Sequence, residues 1–217
     1  MTATANITPF EEPEIRGFLH RPAQESARGL VLTHGAGSNC NAPLLVAIAN
    51  QFCAAGITVL RCDLPFRQRR PSGPPSPASA AADRAGLRRA TLALQRIVPG
   101  PIILGGHSYG GRQSTMLAAE EPAIAAVLLL LSYPLHPPNK PAQLRTQHFP
   151  QLRVPAIFVH GTADSFGTLA ELSAAVAMIP ARTRIIEVAK AGHDLKKGRF
   201  DLTPMVDAVA AAAATRE

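Results

Sequence analysis

Short apolar runs alternate along this chain with longer stretches of helical period, and that alternation points to a mostly parallel sheet with helices packed on its faces. The strands read as Ile15–His20, Leu30–Thr33, Thr58–Cys62, Ile102–Leu104, Ile124–Leu131, Ala156–Val159 and Arg184–Val188. Helices are expected at Pro43–Ala55, Ala81–Ile97, Arg112–Glu120, Thr168–Met178 and Pro204–Ala213, the last with Thr203 as its N-cap and Pro204 in the first helical position. No helix separates the first two strands, so they are expected to pair as an antiparallel hairpin at the sheet edge. Two segments break the alternation. Pro71–Pro77 carries too many prolines for a helix or a central strand and reads as an extended surface connector. Pro134–Pro155 holds six prolines; it has room for a short helix and a loop but not for a large helical lid.

At 217 residues, with no repeat and no linker, one domain spanning 1–217 is expected. Charged residues make up only 17%, which excludes a disordered chain, and the longest apolar run, Ala123–Leu131, is too short to cross a membrane. The net charge of +7 is scattered and lacks interleaved aromatics, so nucleic acid is not an expected partner. Cys40, Cys53 and Cys62 have neither a disulfide framework nor metal-ligand spacing. Met1–Pro13 lacks the pattern of a secretory signal. A reducing cytoplasm is the expected compartment.

After Ile102–Leu104 comes Gly105-Gly106-His107-Ser108-Tyr109-Gly110-Gly111, and then a helical pattern. A serine on so sharp a turn takes strained backbone angles while its Oγ stays exposed, and glycines on both sides let strand and helix approach. Ser108 is the expected nucleophile. A serine hydroxyl needs a base within hydrogen-bond reach and a third group to hold that base. His160-Gly161-Thr162-Ala163-Asp164 follows the strand Ala156–Val159, and Ala191-Gly192-His193-Asp194 follows Arg184–Val188. Both leave the same end of the sheet as Ser108, in the chain order Ser, acid, His. His193 is therefore the expected base and Asp164 the expected acid. Asp63 also follows a strand but precedes the serine, which leaves it as the competitor. His20, His34, His136, His148 and His160 read as structural or surface residues, His107 is a poor partner for its own neighbour, and Asp194 reads as a cap.

A tetrahedral oxyanion needs donors. One is the Tyr109 N–H, after the nucleophile; the other is expected from His34-Gly35-Ala36-Gly37, with Ala36 N–H as the donor. Arg112 and Arg145 could pair with a substrate carboxylate, but a salt bridge or a helix-end contact is the expected role of each.

Six segments together, His34 to Gly37, Gly105 to Arg112, Tyr133 to Pro138, Leu144 to Thr146, His160 to Gly167 and Gly192 to Lys196, resemble the dienelactone-hydrolase-like group of small bacterial α/β-hydrolases. That group is related to the hydrolase-like domain of a testis-expressed protein and of a histone acetyltransferase-complex subunit. The resemblance runs from about Leu30 to Lys197. It implies an α/β-hydrolase fold with nucleophile, acid and base at Ser108, Asp164 and His193. Dienelactone hydrolases place a cysteine at the nucleophile position, so Ser108 argues against dienelactone as the substrate. The expectation is a serine hydrolase of small carboxylic esters or thioesters with an open cleft, needing no metal or cofactor. The alternative is a hydrolase-fold binding or scaffolding protein without activity.

Overall fold

The computed structural model describes residues 6–24 and 27–214; the first five residues of the N-terminal stretch read above lie outside them. Its strands are β1 (Asn6–Glu12), β2 (Ile15–Arg21), β3 (Gly29–Thr33), β4 (Thr58–Cys62), β5 (Ile102–His107), β6 (Val127–Leu131), β7 (Ala156–Gly161) and β8 (Thr183–Val188). Its helices are α1 (Pro43–Ala54), α2 (Pro65–Arg69), α3 (Ala80–Gln95), α4 (Tyr109–Glu120), α5 (Leu169–Val176) and α6 (Thr203–Ala214). All eight strands join one sheet in the order β1-β2-β4-β3-β5-β6-β7-β8. The run from β4 to β8 is parallel, while β1 pairs with β2, and β2 with β4, antiparallel.

Alternate side chains of a strand face opposite sides, and here both sides are covered, so central strands are apolar throughout. In β6, Leu128 and Leu130 enter the core layer shared with Leu87, Leu94 and Leu117 of α3 and α4. Leu129 and Leu131 enter the layer shared with Leu45, Ile48 and Phe52 of α1 and Met205 and Val209 of α6. All four leucines are fully buried, and each such side chain contributes about 1.5–3 kcal/mol of hydrophobic stabilisation. In α5 the Thr168 side chain accepts from the Glu171 N–H while Glu171 reaches back to the Thr168 N–H, a reciprocal cap that holds the start of the helix.

Four expectations need correction. The edge hairpin is β1 with β2, not β2 with β3, because β4 is inserted between those two. Strand β1 escaped detection because it is a largely exposed edge strand interrupted by Pro9, which an edge tolerates. The apolar run from Ile124 enters the sheet only at Val127, after a turn in which the Ile124 N–H donates to the Glu121 carbonyl. Helix α4 starts directly after Ser108 rather than at Arg112. Thr203 is the first residue of α6 rather than its cap; its N–H donates to Asp201 Oδ1, so the aspartate serves the helix start.

Pro71–Pro74 has no regular structure, and Pro134–Pro155 forms no helix beyond a single turn at Phe149–Gln151. Among the described residues no helical lid is inserted between β6 and β7.

Candidate active site

Ser108 sits between β5 and α4 with φ 51° and ψ −115°, a backbone conformation that stores on the order of 1–3 kcal/mol of strain in a non-glycine residue. Its neighbours hold it there. The Ser108 N–H donates to the Leu131 carbonyl at 2.8 Å. A Cβ on Gly106 would stand 2.6 Å from the Gly110 carbonyl carbon, and one on Gly110 would stand 2.6 Å from the His34 carbonyl oxygen. Only bare backbone permits that crossing.

The loops after β7 and β8 bring the other two residues to this turn. Ser108 Oγ lies 2.8 Å from His193 Nε2, and His193 Nδ1 lies 2.9 and 3.0 Å from the two carboxylate oxygens of Asp164. An ionised carboxylate only accepts, so the Nδ1–H donates to Asp164 and Nε2 is left to accept the serine proton. Asp164 also accepts from the Phe166 N–H at 2.9 Å. Burial pushes its carboxyl up, but the His193 hydrogen bond and charge, the Phe166 N–H and nearby His160 outweigh burial and hold it below the usual aspartate value. Asp63 lies elsewhere: it accepts from the Cys40 N–H at 2.7 Å and faces Arg16 at 3.5 Å.

The His34–Gly37 loop passes over the serine so closely that a Cβ on Gly35 would stand 3.4 Å from Ser108 Cβ. His34 Nδ1–H donates to the Gly35 carbonyl at 2.8 Å, and its Nε2 accepts from the Leu64 N–H at 3.1 Å. Burial lowers the His34 pKa, which keeps this neutral form. The peptide between Gly35 and Ala36 is trans, so a carbonyl held by His34 turns the Ala36 N–H the opposite way. Among the described residues no acceptor engages that N–H, and the Tyr109 N–H, first in α4, has no intrahelical acceptor. Ala36, Tyr109, Ser108 and His193 line one cavity of about 520 Å³. The remaining histidines named above hold structural contacts: His20 with Arg61, His136 with Glu171 and the Pro137 carbonyl, His148 with Thr115, and His160 with the Gly167 carbonyl. Asp194 caps the following turn by accepting from the Lys196 N–H.

Three contributors were not legible beforehand. The Phe166 ring is stacked on the His193 imidazole. His107 Nε2–H donates to the His193 carbonyl at 2.8 Å, which ties the His193 loop to the serine turn; its pKa is lowered to about 4, chiefly by burial, so the ring stays neutral. Arg67, buried under the His34–Gly37 loop, donates to the carbonyls of Ala36, Ser38, Arg70 and Gly73. A GxSxG turn and a histidine after the last strand announce themselves by spacing; these three act through contacts between residues far apart in sequence.

Arg112 and Arg145 also line the cavity; of the two roles expected of each, a salt bridge or a helix-end contact, the salt bridge is absent, since among the described residues neither has a carboxylate partner. Among the described residues no group of three or more His, Cys, Asp and Glu side chains is placed to hold a metal ion.

A family model described as an alpha/beta hydrolase domain matches residues 26–216. Among solved structures, a dienelactone hydrolase from Anabaena variabilis is similar at 19% identity and a TM-score of 0.72, covering 97% of this chain and 96% of that one. A serine hydrolase without a lid from Xanthomonas campestris is similar at 14% identity and 0.71, covering 99% and 96%. An alpha-beta serine hydrolase homologue from Coxiella burnetii is similar at 17% identity and 0.69, covering 99% of each chain. At these identities the likeness is one of fold.

Proposed function

We propose, since the chain belongs to the alpha/beta hydrolase domain family, that it is a serine hydrolase cleaving small carboxylic esters or thioesters through an acyl-enzyme on Ser108. The observation that carries this reading is the continuous path from Ser108 Oγ through both nitrogens of His193 to Asp164. His193 Nε2 takes the serine proton as Oγ bonds to the carbonyl carbon, and the carbonyl oxygen becomes an oxyanion facing the N–H groups of Ala36 and Tyr109. The imidazolium then returns the proton to the departing alcohol or thiol. Water, deprotonated by the same nitrogen, releases the acid and restores the serine. Asp164 keeps the imidazole in the tautomer that this requires.

The open cleft supports small acyl groups. Three buried, unpaired cysteines support a reducing compartment such as the cytoplasm. The quoted motif segments and the likeness to the Anabaena protein support a place in the dienelactone-hydrolase-like group, and a single continuous sheet supports one domain. A fluorophosphonate should label the protein at Ser108, and a short-chain nitrophenyl ester should be turned over by it and not by Ser108→Ala. Absence of both would leave the binding or scaffolding alternative.

A further inference from the structure

Two guanidinium groups stand in the proposed active cleft, and among the described residues neither has a carboxylate partner. Arg112 lies in the first turn of α4, its N–H donating to the Ser108 carbonyl at 3.0 Å, and its side chain lines the same cavity as Ser108. Its Nε is buried and has no hydrogen-bond partner. Arg145, from the segment between β6 and β7, makes one long contact of 3.5 Å to the Pro134 carbonyl. Burial and the nearby charge of Arg112 both depress the Arg145 pKa, so the two cations feel one another. The surrounding side chains do not offset this. His148 is held neutral, its pKa lowered to about 4 by burial and by the charges of Arg112 and Arg84, and the Tyr133 hydroxyl donates to the Arg145 carbonyl. The nearby acids are engaged elsewhere: Asp83 with Tyr109 and Phe66, Asp164 with His193, and Glu120 with Arg84. Like charges brought together in a half-buried cleft are unfavourable unless an anion joins them, and a guanidinium fork matches the two oxygens of a carboxylate.

We propose that Arg112 and Arg145 bind a free carboxylate on the substrate, so that the ester or thioester cleaved at Ser108 carries a second, unesterified acid group. The chemistry at the serine rests on the reading given above; the carboxylate site is separable from it. The donors suited to a reacting oxyanion, Ala36 and Tyr109 N–H, are distinct from the two guanidinium forks, so one substrate can occupy both at once.

The test compares 4-nitrophenyl hydrogen adipate with its neutral methyl ester. At low salt the wild-type protein should prefer the acid by roughly tenfold or more in kcat/KM, with the preference shrinking as salt rises. Arg145→Gln and Arg112→Gln should each bring the ratio toward one, with Arg145→Lys restoring part of it. Equal kcat/KM for both esters in the wild type, or a preference unchanged in Arg145→Gln, would overturn the proposal. Should Arg112→Gln fail to fold, Arg145→Gln and the salt series decide alone. Calorimetry on Ser108→Ala removes any dependence on turnover. Ethyl hydrogen adipate should bind at least about tenfold more tightly than diethyl adipate. Equal binding sinks the carboxylate site, whereas selective binding without wild-type turnover sinks only the hydrolase reading.

Discussion

The Phe166 ring lies over the His193 imidazole with centroids 4.0 Å apart and 26° between the planes, while the backbone N–H of the same phenylalanine holds Asp164. One residue thus presses on the imidazole and supports the carboxylate behind it. Stacked ring pairs contribute about 0.5–1.5 kcal/mol beyond their burial. Phe166→Ala should lower kcat on a short-chain ester by about two- to tenfold with KM less affected, and Phe166→Tyr should retain most of it; steady-state kinetics of the three proteins checks this.

Replacing the acid tests the tautomer. In Asp164→Asn the amide can donate to Nδ1, which would put the imidazole proton on Nε2 and leave nothing to accept the serine hydrogen. The expected loss in kcat is on the order of 10⁴-fold, with the fold retained by circular dichroism. A variant as active as the wild type would remove Asp164 from the mechanism.

Gly106→Ala would force a methyl group to 2.6 Å from the Gly110 carbonyl carbon, where only backbone can give way. A destabilisation of roughly 1–3 kcal/mol is expected, read as a lower melting temperature, together with loss of fluorophosphonate labelling as the turn shifts. Gly37→Ala, where a Cβ would meet nothing within 4 Å, serves as the control.

These positions also mark what could be read beforehand. Glycines around Ser108, and Asp164 and His193 after successive strands, are local patterns, so the convergence of these three residues and most core elements were legible. Strand β1 was not, because an exposed edge needs no apolar face, and neither was the place of β2, because nothing in the chain between β2 and β3 signals that β4 will come between them. Phe166, His107 and Arg67 were missed for a different reason: each acts on a backbone or ring that only folding brings near.

Acid should weaken the fold over a defined range. His20, His107 and His148 each have a pKa lowered from 6.5 to about 4, in every case chiefly by burial. Below pH 6.5 the unfolded chain takes up protons that the folded one refuses until about pH 4, so their contribution is complete above 6.5, declines between the two values and levels off below 4. Melting temperatures measured from pH 7 to pH 4 should fall across that window, and His148→Gln should flatten the fall. A flat profile in the wild type would contradict the buried neutral state of these rings.

Arg67 ties the Gly73 carbonyl of the proline-rich stretch to the Ala36 carbonyl beside the serine. The surface stretch therefore acts as a brace for the ceiling of the cleft. Cutting the chain after Gly73, or lengthening it there, would loosen a wall of the cleft from the outside while every residue of the Ser108, His193 and Asp164 set stayed intact.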